Sequence, residues 1–435
     1  MLAESAQAQT CTAPCYARTA AEVTAGVTPT NTAFSANGPI DVRRYGYSAD
    51  NNTASATGNV TALNKAILVA ATTDGGATGA TVLLPTGVAY INSTITLPNR
   101  VRLQGQNASG SILKATTTFS TPSQPYMFWA TNGSTAMFDS ILQDLFIDCS
   151  DVSGLGGILT DGWQENSGLR SVGIMKFTTY GLRFRNMSAG GQASCELQQI
   201  QLFASSSGAT AGIRVDSISL AGSFLVHVRD SVIAGATTGT LARAIDIAND
   251  SLLLQNVHFE SCTEAVHIDG VGSHTYHNIT GIAGTTSLVH AVATFTGRLT
   301  MVGCARNGAT HFLVNDASGE TYTSPDLAEY VYPDLKARNT AKAWCFFNGA
   351  TAGTNPPTAG FNVASVQRIS TGRYKVNLSN FTQNGNIAML VSCNQNAQGA
   401  NNWCQAVNAA GFLVNLDVAG VPTDANEVHV VAFAL

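Results

Sequence analysis

The chain has 435 residues, of which 45% are apolar and only 11% charged, with a net charge of −5. That composition supplies a large core and is unlike a disordered tail, in which apolar residues are scarce and charge is high. No basic run is present to neutralise phosphates, which excludes a nucleic-acid partner, and no window approaches the roughly eighteen apolar residues of a spanning helix, which excludes membrane insertion.

Residues 1–36 are rich in Ala, Thr and Ser and carry little strand signal. They lack the basic and apolar regions of a signal peptide, and the expectation is an arm that orders only on docking. The stretch "IDVRRYGYSADNN" from Ile40 follows, then an amphipathic helix over Ala62–Ala71 with Leu63, Ile67 and Leu68 on one face. Residues 75–106, "GGATGATVLLPTGVAYINSTITLPNRVRLQGQ", are three short strands separated by turns. Pro85 and Pro98 fall at the corners, where a missing N–H does little harm.

From residue 142 two strand patterns recur. One begins at Leu142, Leu169, Leu197, Val228, Leu254, Tyr276 and Leu299; the other at Ile158, Leu182, Ile213, Ile245, Val266, Val289 and Phe312. Both advance by 21–32 residues per repeat, with no helical periodicity between them. Such a repeat is a solenoid, in which each unit buries its face only against its neighbours. Parallel strands this close in sequence, with no crossover helices, imply a right-handed parallel β-helix. The units are too short for propeller blades.

In the second pattern the first and third residues point inward and the second and fourth outward. The second-position column reads Leu159, Arg183, Arg214, Asp246, His267, His290, Leu313, and the fourth reads Asp161, Arg185, Asp216, Ala248, Asp269, Val292, Asn315. Members on adjacent coils should stand about 4.8 Å apart. Two readings stay open. One is an ordinary solvated face with cross-strand charge pairs. The other is a groove for a polyhydroxylated or anionic polymer, lined by Arg183, Arg185, Arg214, His267, Asp269 and Trp163, with the guanidiniums making bidentate bonds. In that groove Asp161, Asp216, Asp246 and Glu165 are the candidate acid and base. Carboxylates about 5 Å apart suit a retaining hydrolase, and about 6.5–9.5 Å an inverting one. Trp163, beside Asp161 and Glu165 in "TDGWQEN", is expected to wall the sugar site. Asp148, Asp151, Glu260 and Glu264 read as turn residues after coil strands.

Residues 333–435 alternate as strands between Gly/Asn turns, the pattern of an antiparallel β-sandwich. Trp344 and Trp403 in that region fit packing or subunit contact, or sugar stacking. The nine cysteines form no zinc-ligand spacing and read mostly as buried free thiols. No calcium cluster, serine elbow or nucleotide fingerprint appears, so neither metal nor cofactor is expected.

Tyr45–Gly46, the run Ala62–Ala71, Val82 through Tyr90 and Leu103–Gly105 together resemble the opening of pectate-lyase-like β-helix proteins, in particular bacteriophage tailspikes and tail fibres. The chain departs by having Asn59–Thr61 where an Asp-rich stretch usually stands. Lys342, Ala343, Trp344, Phe347, Asn348 and Gly349 are similar to the C-terminal β domains of phage tail fibres. The resemblance implies an all-β elongated homotrimer: an anchoring arm (1–36) for a tail adaptor or baseplate protein, a capping region (37–115), a β-helix (116–332) and a C-terminal trimerisation and receptor-contact sandwich (333–435). It implies a virion tail protein, assembled in the host cytoplasm, that acts at the host surface by binding a capsule or O-antigen polysaccharide. Depolymerisation, by hydrolase rather than lyase chemistry, stays open beside a non-catalytic receptor-binding or structural fibre. The galacturonase motifs are not matched in order.

Overall fold

The computed structural model describes residues 16–435 apart from 36–37, 121–123, 134–136, 165, 186–192, 217–223, 283, 296, 306, 317–319, 323–328, 333–340, 380–386, 395–399, 409–410, 419–420, 423, 425–426 and 435. The chain divides between Tyr330 and Val331 into two compact units.

In the first unit the strands alternate between two long, mainly parallel sheets of 15 and 10 strands, wound as a right-handed parallel β-helix. Register explains the winding. In the larger sheet Ile40, Val82, Leu103, Leu142, Leu169, Leu197, Val228, Leu254, Tyr276 and Met301 pair successively. In the smaller, Ile95, Phe128, Ile158, Leu182, Ile213, Ile245, Val266, Val289 and Leu313 do the same. All nineteen are at most 1% exposed. Each fully buried side chain of this kind is worth about 1.5–3 kcal/mol, so the stacked interior holds the solenoid together.

The last coil departs from the expected register. Met301, not Leu299, stacks on Tyr276, and Leu313, not Phe312, stacks on Val289. Leu313 therefore leaves the outward column, since Val314 pairs with His290, and Asn315 is in register with Ala291. Asp148, Glu260 and Glu264 also correct the sequence reading: they lie in strands (Ile141–Asp148, Ser251–Glu260, Cys262–Asp269), not turns.

The first coil is covered by α2 (Ala56–Thr72), longer than expected, with Leu63, Ala66, Ile67 and Ala70 buried. Leu68 is 46% exposed and does not share that face. Asn59 is buried and pins the helix: its amide donates to the Tyr90 carbonyl at 3.1 Å and its carbonyl accepts from the Ser48 N–H at 2.8 Å.

Residues 16–35 are not a free arm. α1 (Ala20–Thr24) starts with a capping box between Thr19 and Glu22. Glu22 then accepts from Arg44 at 2.6 and 3.0 Å and from the Tyr45 hydroxyl at 2.9 Å. Glu22 and Arg44 are both 0% exposed, so this segment is tied into the cap by a buried ion pair that composition alone does not reveal. Residues 1–15 lie outside the described residues.

The second unit has a four-stranded and a six-stranded antiparallel sheet. Cys345, Phe347, Val428 and Val430 of the first pack with Val366, Tyr374, Val376, Val414 and Leu416 of the second.

Candidate functional site

The site grows from an irregularity on the outer face of the ten-stranded sheet. On Tyr180–Arg185, Ala209–Val215, Leu241–Ala248 and Cys262–Asp269, runs of two or more buried residues interrupt the alternation, each holding a small residue before a larger one: Gly181–Leu182, Gly212–Ile213, Ala244–Ile245 and Ala265–Val266. The first of each pair is small because the neighbouring coil is close. A Cβ on Gly212 would stand 2.6 Å from both the Ala244 carbonyl oxygen and Ile233 Cγ2. The step brings residues three apart onto one face. The Arg183 guanidinium lies 5.0 Å from the Tyr180 ring centroid, Arg243 meets Asp246 at 3.0 Å, and Glu264 meets His267 at 2.7 Å.

By register Tyr180, Ala211, Arg243, Glu264, Ser287 and His311 form a third column, in which Ala211 and Ser287 are buried. Beside the Arg183, Arg214, Asp246, His267, His290 column it completes an ion-pair ladder. Arg183 donates to Asp216 at 2.8 Å. Arg214 bridges Asp216 (2.9 Å) and Asp246 (2.6 Å). Arg243 bridges Asp246 (3.0 Å) and Glu264 (3.3 Å). Glu264 lies against His267 and His290 at 2.7 and 2.6 Å, and His290 Nε2 reaches Asp316 at 2.9 Å. A separate node joins Asp161 to Arg185 through two bonds of 2.8 and 2.9 Å, with Trp129 Nε1 donating at 2.7 Å.

Depth separates the partners. The side chains of Asp161 and Asp246 are 4% exposed, against 29% for Arg185, 24% for Arg214 and 36% for Arg243. The carboxylates lie beneath and the guanidiniums lie nearer solvent. Asp246 Oδ1 is buried without a hydrogen-bond partner among the described residues. Asp216, at 20%, is the more accessible acid.

At the far end the electrostatics are sharper. Burial alone would raise the Glu264 carboxyl, but hydrogen bonds from His267 and His290 outweigh it and hold it at about 2. Burial would lower the His290 imidazole; hydrogen bonds to Glu264 and Asp316 raise it instead. The donor atoms of Glu264, His267 and His290 all lie within 4.8 Å of one another, a spacing that could hold a metal ion.

The expected site residues divide. Arg183, Arg214, Asp216, Asp246 and His267 are joined in the ladder, and Asp161 with Arg185 forms the second node. Asp269 stands at the end of its strand, accepting from Thr294 Oγ1. Trp163 is a correction: it is 0% exposed and packs edge-on to Phe184 at 6.2 Å, so it is core and not a sugar wall. Glu165 lies outside the described residues. Arg243, Glu264 and Asp316 were missed as site residues. The small residues Ala244 and Ala265, recurring where Gly181 and Gly212 stand, were the available signal.

A family model described as rhamnogalacturonase A/epimerase, pectate lyase-like, matches residues 40–289. The chain belongs to that family. The matched span runs from the first strand to Val289, the residue before His290, and so contains most of the ladder. Similar solved structures include the phiAB6 tailspike in complex with oligosaccharides of Acinetobacter baumannii surface polysaccharide (14% identity, 91% of this chain and 86% of that chain, TM-score 0.36). The bacteriophage phi29 gene product 12 is similar at 13% identity over 58% of this chain and 34% of that chain, with TM-score 0.44. The Dettilon tailspike is similar at 11% identity over 91% of this chain and 94% of that chain, with TM-score 0.29. Likeness at this level says nothing of ligand or activity. No curated protein matches the chain.

Proposed function

We propose that the chain is a bacteriophage tailspike or tail fibre protein that binds a bacterial surface polysaccharide, a capsule or lipopolysaccharide O-chain, for adsorption to the host. The observation that carries this reading is the depth order of the ladder, with guanidiniums outermost and carboxylates beneath. A guanidinium held from below keeps its remaining N–H donors pointing outward in a fixed plane, which suits carboxylates and vicinal hydroxyls. Successive coils repeat those donors at about 4.8 Å, close to the scale of a sugar residue. In this reading Asp161, Asp246 and the buried His267 are positioning residues, and Arg183, Arg185 and Arg214, with Asp269 along the same face, contact glycan. A family whose name speaks of a rhamnogalacturonase and an epimerase supports a carbohydrate ligand.

A depolymerase is the second reading, favoured by Asp216, which is open to solvent and shares Arg214 with Asp246. It would be a glycoside hydrolase working through that carboxylate pair. The anchoring role of the N-terminal segment, the virion location and a homotrimer belong to the same proposal. The trimer is supported by Trp344 and Phe361, paired across strands and 43% and 51% exposed.

The deciding experiment incubates the full chain with purified capsule and O-chain preparations and follows glycan length by size exclusion, with light scattering for subunit number. Retained glycan of constant length supports binding. Oligosaccharide release that is lost in Asp216→Asn supports hydrolysis. A broad glycan panel in which the chain neither retains nor shortens any glycan overturns the proposal.

A further inference from the structure

We propose that Glu264, His267 and His290 form a binding site for a divalent transition-metal ion, zinc by its donor set. This inference does not rest on the glycan reading.

The fold builds the site in two moves. The inward step at Ala265–Val266 puts Glu264 and His267 on one outer face of the same strand. Parallel pairing then sets His290 directly beside His267 on the next coil, the two rings edge to face with centroids 5.2 Å apart. Both rings present Nδ1 to the same carboxylate, His267 to Oε2 at 2.7 Å and His290 to Oε1 at 2.6 Å. No two of the three donor groups are farther apart than 4.8 Å. Bonds of about 2.0–2.2 Å to one ion need only side-chain shifts of about 1 Å from there.

His290 carries the outer partner that ligating histidines have. Its Nε2 lies 2.9 Å from Asp316 Oδ2, which fixes the ring, and an ion would replace the proton that Nδ1 donates to Glu264. Two imidazoles and one carboxylate suit zinc, cobalt or nickel, whereas calcium and magnesium prefer oxygen alone. The side chains of Glu264 and His290 are 18% and 19% exposed, so a fourth position stays open to water. Arg243 is the opposing charge, 3.3 Å from Glu264 Oε2. It is itself held by Asp246 at 3.0 Å, and with Asp316 the carboxylates around the site outnumber it.

The test uses the tag-free full chain, stripped with chelator and titrated with cobalt(II), followed by d–d absorption, and with zinc(II), followed by calorimetry. One ion per chain is expected. Glu264→Gln and His290→Gln should weaken binding at least about 100-fold, and Asp316→Asn about 10-fold. His258→Gln, on the pair with Glu260, should leave binding unchanged. Circular dichroism checks that each variant is folded. A wild-type chain that shows no cobalt spectrum and retains no zinc overturns the proposal whatever the variants do. So does stoichiometric binding that survives in folded Glu264→Gln and His290→Gln chains.

Discussion

Arg183 sets two guanidinium nitrogens on one oxygen of Asp216, both at 2.8 Å, while its plane lies 5.0 Å from the Tyr180 ring centroid. The contact reaches from one coil to the next and leaves Arg183 31% exposed. Lysine keeps the charge but loses the planar fork and the stacking. Arg183→Lys should therefore weaken retention of an acidic glycan by about 10-fold, one bidentate contact. Unfolding stability should change by less than about 1 kcal/mol, because the pair is partly solvated. Glycan affinity and denaturant midpoint, measured on one preparation, check both halves. Equal glycan affinity would remove Arg183 from the binding face.

Gly212 sits where two coils are nearest. An alanine methyl there would meet the Ala244 carbonyl oxygen and Ile233 Cγ2, each 2.6 Å from the new carbon. The coil must spread or Ile233 must leave its rotamer, and overpacking of this kind costs about 1–3 kcal/mol. Gly212→Ala should lower the denaturant midpoint accordingly. It should also disturb the inward step that brings Arg214 over Asp216 and Asp246. A variant as stable as the parent would mean that the small residues at this step are not required by packing.

The sequence exposed the solenoid because its inward residues repeat: the stacks through Leu182 and Leu169 are a one-dimensional signal. It missed the last coil because Phe312, Leu313 and Val314 are all apolar, so alternation no longer says which residue faces in. The column of Arg243 and Glu264 was hidden for a different reason. Two inward residues in a row break the period of two, and Glu264 then falls outside the pattern that locates His267. Pairings such as Asp161 with Arg185, 24 residues apart, follow from register once the coils are aligned. Which partner lies deeper, and that Trp163 turns inward to Phe184, depends on packing that no single strand encodes. The buried Glu22–Arg44 pair was illegible because composition describes a segment's average, whereas this contact joins two particular side chains 22 residues apart.

His274 is a pH sensor of stability. It is 1% exposed, packed against Phe295 with ring centroids 5.4 Å apart, and neither ring nitrogen has a hydrogen-bond partner among the described residues. Burial depresses its imidazole to about 3, from an ordinary value of 6.5. The folded chain thus holds this histidine neutral, while the unfolded chain takes up the proton below about 6.5. Its contribution is fully present above that value and is lost as pH falls from about 6.5 towards about 3. The slope approaches about 1.4 kcal/mol per pH unit in that window. His274→Phe removes the titration. Its denaturant midpoint should fall less than wild type between pH 7 and pH 4.5, and parallel curves would show that the proton is taken up elsewhere.

Glu22 and Arg44 decide whether the N-terminal segment stays on the cap. Arg44 is fully buried and gives bonds to both Glu22 oxygens and to the carbonyls of Ala17 and Phe34. Hydrogen bonds from Arg44, Thr19 and Tyr45 together outweigh a burial effect that would raise the Glu22 carboxyl, and hold it below its usual range. Removing only the carboxylate leaves a buried guanidinium uncompensated, which costs about 3–5 kcal/mol. The Thr30 and Asn31 N–H bonds to the Arg44 carbonyl and the Thr72 hydroxyl bond to the Ala21 carbonyl remain, so the loss should appear as local loosening and not as unfolding of the coils. Glu22→Ala should be cut by trypsin at Arg18 and Arg43 at least about ten times faster than wild type, while the β-helix fragment survives. Replacing both partners, as Glu22→Leu with Arg44→Met, should restore much of the protection, because an apolar pair carries no buried charge. Equal cleavage rates in wild type and Glu22→Ala would show that the segment is held by something other than this pair.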